Sequence, residues 1–404
     1  MRDKTKISIL FICLIVSLNA EIPLSYPVEN TGKDCNKPDL PEPNLLKKVN
    51  NLPNPFEWTD GSGTISSLDD WKCRRNEIKA EIEKYEIGIK PDTAKVEASY
   101  EGGSLKVIIT DNGQSLTLTS SINVPSGNGP FPIIIGMNSG TGSLDKSLFS
   151  DFIQVPFLHD QVAKYSMSGV KDTNVGFYKI YPNLRNNGDY SAWAWGVSRL
   201  IDGLEQIQDK INGDLSRIVV TGCSYAGKMA LFSGAFDERI ALTIAQESGG
   251  GGINSWRVAD TIGNVEKIEN TNYSWFMQYL KINFNGKANM LPYDHHELVG
   301  MIAPRAFLAL GNPDYEWLGD PAGYVSVMAA HEIWKAMGVG DRFGFDFASG
   351  HMHCSAAPTQ TQAIKAYVDK FIRGKDGSQV LSGHPGNIDA DSWYNEWAGY
   401  KFSS

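Results

Sequence analysis

The chain has 404 residues and a formal net charge of -9. That length supports one large core or two smaller ones. An acidic chain without a basic cluster argues against a nucleic-acid interface, while its 10 Trp and 16 Tyr side chains can serve either a core or the stacking of sugar rings.

In chain order, Arg2, Lys4 and Lys6 precede an apolar run over 7–18 that ends at Asn19-Ala20. A basic start, a short apolar segment and a small residue read as a secretory leader cut after Ala20. The run is too short for a comfortable membrane span, which leaves an uncleaved anchor as the alternative. Losing Arg2, Asp3, Lys4 and Lys6 takes the charge to -11. The remaining chain is expected to be a secreted, soluble, monomeric protein with one catalytic domain over 21–404. Within it, a Pro-, Asn- and Lys-rich extended arm covers 21–60 and a tail covers 376–404.

Residues 69–86 carry a helical pattern. Residues 95–125 alternate apolar and polar positions around Gly102-Gly103 and Asn112-Gly113, as antiparallel strands with tight turns do. After them the pattern changes. PFPIIIGMN (130–138), SRIVVTG (216–222), RIALTIAQ (239–246), APRAFLALGN (303–312) and DRFGFDFA (341–348) are short continuous apolar runs, as expected of buried strands. Helical patterns over 191–209, 228–236 and 360–374 are interleaved with them. The alternation predicts a mostly parallel central sheet flanked by helices, a three-layer sandwich. The strand-turn-helix at 216–236 narrows this to the α/β-hydrolase fold.

That turn reads Gly222-Cys223-Ser224-Tyr225-Ala226-Gly227, a G-x-S-x-A-G in which small residues relieve crowding around a strained serine. Ser224 as a nucleophile needs a base and an orienting acid. His351 and His353 follow the last predicted strand, where this fold carries its base. His159, His331 and His384 read as surface or core residues. His295 and His296 are adjacent, so their side chains diverge, and a structural or rim role is preferred to metal ligation.

Cysteine usage chooses between the loop histidines. With Cys13 in the leader, Cys35, Cys73, Cys223 and Cys354 make an even set in an oxidising compartment, which predicts two disulfides. Cys223 precedes Ser224 and Cys354 follows His353. Pairing His353 with Ser224 brings those backbones within the roughly 4.4–6.8 Å a disulfide spans. Cys223–Cys354 is therefore preferred, with Cys35–Cys73 remaining, and His353 is preferred over His351. The alternative is a buried free thiol at Cys223. For the acid, Glu247 after one strand and Asp314 or Glu316 after a later one are all open.

Lys228 lies near a helix start, where the macrodipole disfavours a cation, and one turn from Ser224. It reads as a donor to substrate hydroxyls, the alternative being an ammonium that runs out to solvent. Asn272-Tyr273-Ser274 is a glycosylation sequon.

GCSYAGKMA, QESGGGG with SWR, LPYDHHELVGMIAPR, EWLG and GHMHC, over roughly 221–354, together resemble the glucuronoyl esterases, carbohydrate esterase family 15. The resemblance implies an α/β-hydrolase with a Ser/Glu/His triad and no metal or other cofactor. It implies cleavage of the ester between 4-O-methyl-glucuronic acid on xylan and lignin alcohols. It makes Ser224 the nucleophile, His353 the base and Glu247 the acid, puts Lys228 and Trp317 on the uronate, and offers Glu266 in place of a family glutamine. The family's arginine after the serine is Tyr225 here, whose backbone N–H still serves the oxyanion hole. Ser255 stands where fungal members have a cysteine of a third disulfide. Two other activities are weighed against this: an acetyl xylan esterase or other carbohydrate esterase, with the sugar on the alcohol side, and a catalytically weak carbohydrate-binding homologue.

Overall fold

The computed structural model describes residues 21–403 except residue 93, so the leader read over 1–20 lies outside the described residues. The alternating segment forms an antiparallel meander, β1 (Lys95–Glu101), β2 (Ser104–Asp111) and β3 (Gln114–Ser121). Its hairpin turns place both central residues at positive φ, 55° and 81° at Gly102-Gly103 and 49° and 70° at Asn112-Gly113. That is what two-residue hairpins with this twist require. Leu105, Val107 and Ile109 of β2 point inward and are buried. The helix Asp189–Ile211 lies so close that a Cβ on its Gly203 would sit 2.4 Å from a methyl of Val107.

The continuous apolar runs make a separate seven-stranded sheet: β4 (Phe131–Met137), β5 (Ile153–Phe157), β6 (Gly213–Cys223), β7 (Ile240–Gln246), β8 (Ala306–Leu310), β9 (Phe343–Asp346) and β10 (Leu381–Ser382). Its order is β10-β9-β8-β7-β6-β4-β5, and every pairing is parallel. The chain runs outward from β4 to β5, then returns to the other side of β4 as β6. Ligands of open α/β sheets bind beyond the carboxyl ends of strands at such a reversal.

Alternate strand residues face opposite layers, which is why the runs are apolar throughout. Ile133, Ile135, Val220 and Phe307 join one core with Trp193, Phe232 and Trp334. Ile134, Val219, Leu242 and Leu308 join another with Ile364, Tyr367 and Val368 of the helix Pro358–Phe371. The result is helix, sheet, helix.

β5 and the helix Asp320–Ala336 are among the elements outside the predicted set. β5 carries Pro156 inside a five-residue run, a composition that demotes a strand to an edge, and β5 is the sheet edge. The helix Asp320–Ala336 begins with a proline near its first turn and buries Val325, Ile333 and Trp334. The helix read over 69–86 runs Leu68–Ile82 and closes in a wider π turn, Glu83–Ile87. The arm and tail pack together: Phe56 stacks on Tyr400 at 4.6 Å and meets Trp397 edge-on at 6.0 Å. Cys35–Cys73 bonds the arm to the helix Leu68–Ile82, with Cα atoms 5.4 Å apart. Among the described residues no helix is long and apolar enough to cross a membrane.

Candidate active site

The strand register puts the chemistry at one edge. Cys223 of β6 pairs with Gln246 of β7, Gln246 with Leu310 of β8, and Leu310 with Asp346 of β9. The segments that leave these four ends therefore start side by side. Ser224 follows Cys223 at φ 59° and ψ -127°, a strained backbone for a side-chain-bearing residue. The strain is held by packing. A Cβ on Gly222 would lie 2.2 Å from the Ala226 carbonyl oxygen, and one on Gly227 2.2 Å from that of Gln246. Only glycine admits so tight a turn from β6 into the helix Tyr225–Phe236. The Tyr225 backbone N–H opens that helix and has no acceptor among the described residues, as first-turn amides lack intrahelical partners. It is available to a developing oxyanion.

His353 Nδ1 lies 2.6 Å from Glu247 Oε2. Glu247 is fully buried directly after β7, at φ 46°. Its other oxygen accepts the Cys354 backbone N–H at 2.7 Å, and Asn312 Nδ2 donates to Oε2 at 3.2 Å. Asn312 is itself fixed, donating to the His351 carbonyl at 2.8 Å and accepting the His351 and Asp314 backbone N–H groups at 3.2 Å each. Asp314 and Glu316 are exposed and make no bond to either histidine among the described residues. His351 Nδ1 turns to the Met352 carbonyl at 2.9 Å. His353 Nε2 carries no hydrogen bond among the described residues, and the imidazole packs against Tyr315 with centroids 4.6 Å apart. Direct Ser224–His353 bonding is not formed, as is common before substrate tightens a site.

The loop that carries His353 is tied down at three points. Cys354, at φ 61°, is bonded to Cys223 with Cα atoms 5.7 Å apart. Its N–H goes to Glu247, and the Gln246 side chain donates to the Ser355 carbonyl. Ligand atoms of Cys223, Glu247, His353 and Cys354 lie within 4.8 Å of one another. Two of the four are disulfide sulfurs, so the set is a poor metal site.

A cavity of about 460 Å³ opens beside Ser224, lined among others by Lys228, Glu266, Asn272, Trp275 and Trp317. Lys228 does not run out to solvent. It is buried, donates to Glu266 Oε2 at 2.8 Å and lies 5.3 Å from the Trp275 ring centroid. Glu266 Oε1 accepts the Thr271 hydroxyl at 2.7 Å. The pair fixes a donor and an acceptor on one wall. The Tyr225 side chain stacks on Trp275 at 5.9 Å, with its hydroxyl 2.9 Å from Asn138 Nδ2 and 3.1 Å from His159 Nε2.

His295 and His296 are buried structural residues. His295 Nε2 meets Glu86 at 2.8 Å; His296 Nε2 meets the Pro53 carbonyl at 2.9 Å and its ring stacks on Trp397. Burial, then the charge of Glu247, pushes the Asp320 carboxyl up to about 7, despite a backbone hydrogen bond from Asn312. Ser255, without a cysteine partner, caps the helix Trp256–Ala259 and donates to Asp294 at 2.8 Å.

The profile described as Glucuronyl esterase, fungi, matches residues 107–338, more than half of the chain. The 4-O-methyl-glucuronoyl methylesterase of Podospora anserina is 37% identical over 345 residues, 82% of this chain and 70% of that one. The chain belongs to the glucuronoyl esterase family. The crystal structure of recombinant glucuronoyl esterase from Sporotrichum thermophile matches with TM-score 0.84 and 34% identity, over 92% of this chain and 100% of that one. A serine-to-alanine variant of that glucuronoyl esterase, in complex with methyl 4-O-methyl-β-D-glucopyranuronate, matches with TM-score 0.83 and 34% identity, again over 92% and 100%.

Asn312 and Gln246 went unread in the sequence. Asn312 sits two residues before Asp314, just past the end of β8, and hydrogen-bonds Glu247.

Proposed function

We propose that this esterase hydrolyses the ester at C6 of a glucuronic acid borne on xylan, releasing a lignin-type alcohol through an acyl-enzyme on Ser224. The observation that carries the reading is the buried Lys228–Glu266 pair in the cavity that Ser224 lines. It offers fixed polar partners to ring hydroxyls beside the nucleophile. The Sporotrichum thermophile relative in complex with a methyl glucuronate ester supports a uronate ester as the substrate class.

Ser224 Oγ attacks the carbonyl carbon as His353 Nε2 takes its proton. Glu247 accepts the Nδ1–H, fixes the tautomer and stabilises the imidazolium. The Tyr225 N–H holds the oxyanion. The alcohol leaves with the proton from His353, and water repeats the sequence in reverse. Lys228 and Glu266 bind hydroxyls, and Trp317 offers its face to the ring. The Asn19-Ala20 leader and the two disulfides support action outside the cell as a single catalytic domain.

The test offers benzyl glucuronate and acetylated xylan to the wild type and Ser224→Ala. Hydrolysis of the uronate ester, lost in Ser224→Ala, is expected. Hydrolysis of the acetyl ester alone would overturn the reading in favour of an acetyl esterase, and sugar binding without hydrolysis of either would favour a binding protein.

A further inference from the structure

The sequon Asn272-Tyr273-Ser274 is not on open surface. Asn272 is half-buried and lines the same cavity as Ser224 and Lys228. Its amide is engaged on both sides. Oδ1 accepts the Ser274 backbone N–H at 2.8 Å. Nδ2 donates to the Ser166 carbonyl at 3.2 Å and to Met167 Sδ at 3.1 Å. Ser274 is buried, its hydroxyl donating to Asp189 Oδ2 at 2.7 Å, and swinging the Asn272 amide outward would break its bonds to Ser274 N–H, the Ser166 carbonyl and Met167.

N-glycosylation replaces one Nδ2–H by a bond from Nδ2 to C1 of N-acetylglucosamine. The sugar comes from a polyisoprenyl diphosphate donor, whose diphosphate departs as the amide proton is lost. A secondary amide keeps one of the two donations. The Ser166 acceptor is backbone, whereas Met167 is a flexible side chain, 74% exposed, on the cavity wall. The sugar therefore leaves along Met167. A linked sugar ring is as large as the substrate's own ring and starts from the wall of the cavity the substrate needs.

We propose that a glycan on Asn272 closes the substrate cavity, so that occupancy of this sequon switches the esterase off. The proposal rests on the cavity being the uronate site. It explains how a sequon compatible with the secretory pathway lies on an active-site wall: activity belongs to the unoccupied form.

The test uses Asn272→Cys in the full chain. Its thiolate displaces iodide from a GlcNAc-linked iodoacetamide, forming an Sγ–C bond where C–I breaks. With benzyl glucuronate, kcat/KM is expected to fall at least tenfold between the unconjugated and sugar-conjugated variant, and much less with plain iodoacetamide. Equal rates with and without the sugar would overturn the proposal. A second measurement covers a variant that folds poorly: wild type from a glycosylating host, separated into Asn272-occupied and unoccupied forms. Occupied protein that hydrolyses the ester at the unoccupied rate overturns the proposal; inactive occupied protein that gains activity when an amidase removes the glycan, converting the Asn272 amide to a carboxylate, supports it. Absence of uronate ester hydrolysis by unmodified wild type would strike the function reading instead, so the two failures are distinct.

Discussion

Glu247→Gln tests the acid assignment with almost no change of shape. Both oxygens of Glu247 face donors, Cys354 N–H at 2.7 Å on Oε1 and His353 Nδ1 with Asn312 Nδ2 on Oε2. A glutamine has one oxygen and one NH2. The Cys354 donor is backbone, anchored by the disulfide, and keeps the oxygen on its side. The NH2 then faces His353 Nδ1 and turns it into an acceptor, which puts the ring proton on Nε2, where the serine proton must go. Asn312 cannot compensate by flipping, because its oxygen is held by two backbone N–H groups. The electrostatic loss is of the same order: opposite charges about 4 Å apart at an effective dielectric of 20 attract by about 4 kcal/mol, or about a thousandfold in rate. Wrong-tautomer loss in another triad is about 10⁴. We expect kcat on benzyl glucuronate to fall by about 10³–10⁴ with KM little changed. A loss under tenfold would refute the assignment, and a comparable loss in Asp314→Asn or Glu316→Gln would move the acid there.

Other outcomes follow from the same geometry. Cys223→Ser with Cys354→Ser opens a loop of sequence separation 131, for which chain entropy allows up to about 5 kcal/mol; thermal unfolding should show a lower Tm, and an unchanged Tm would count against the staple. Tyr225→Phe should lower kcat less than about threefold, since the oxyanion donor is the backbone N–H and the hydroxyl is turned to Asn138 and His159; a hundredfold loss would assign the hydroxyl a direct role. Asp320 ionises near 7 when folded but at about 3.9 when unfolded. The unfolded chain thus releases its proton first, and stability falls as pH rises from about 4 to 7, by about 4 kcal/mol in all. Asp320→Asn removes this limb, so denaturant titrations should show the variant gaining on wild type between pH 4 and 8; a pH-independent difference would contradict it.

How much the sequence discloses depends on what carries each feature. β4, β7 and β8 are legible because strands buried on both faces read as near-continuous apolar runs. β5 is not, because Pro156 breaks the same signal at a sheet edge. The serine turn is legible because Gly222 and Gly227 are forced by crowding against carbonyl oxygens. Ordinary spacing leaves the acid open among Glu247, Asp314 and Glu316, since the choice depends on strand register. Cys223 pairs with Gln246, so the next residue, Glu247, comes level with Ser224. Asn312 is silent in sequence because its work is hydrogen bonding from the neighbouring strand end. The place of Asn272 on the cavity wall is equally silent: the motif says what can be modified, and only the fold says what lies beside it.

The central claim is that Ser224 forms a glucuronoyl ester during turnover. Acid quenching during hydrolysis of benzyl glucuronate, followed by intact mass and peptide mapping, tests it most directly. One glucuronoyl group on the peptide containing Ser224, absent from Ser224→Ala, is the predicted result. An adduct on another residue, or wild-type turnover by Ser224→Ala, would contradict it.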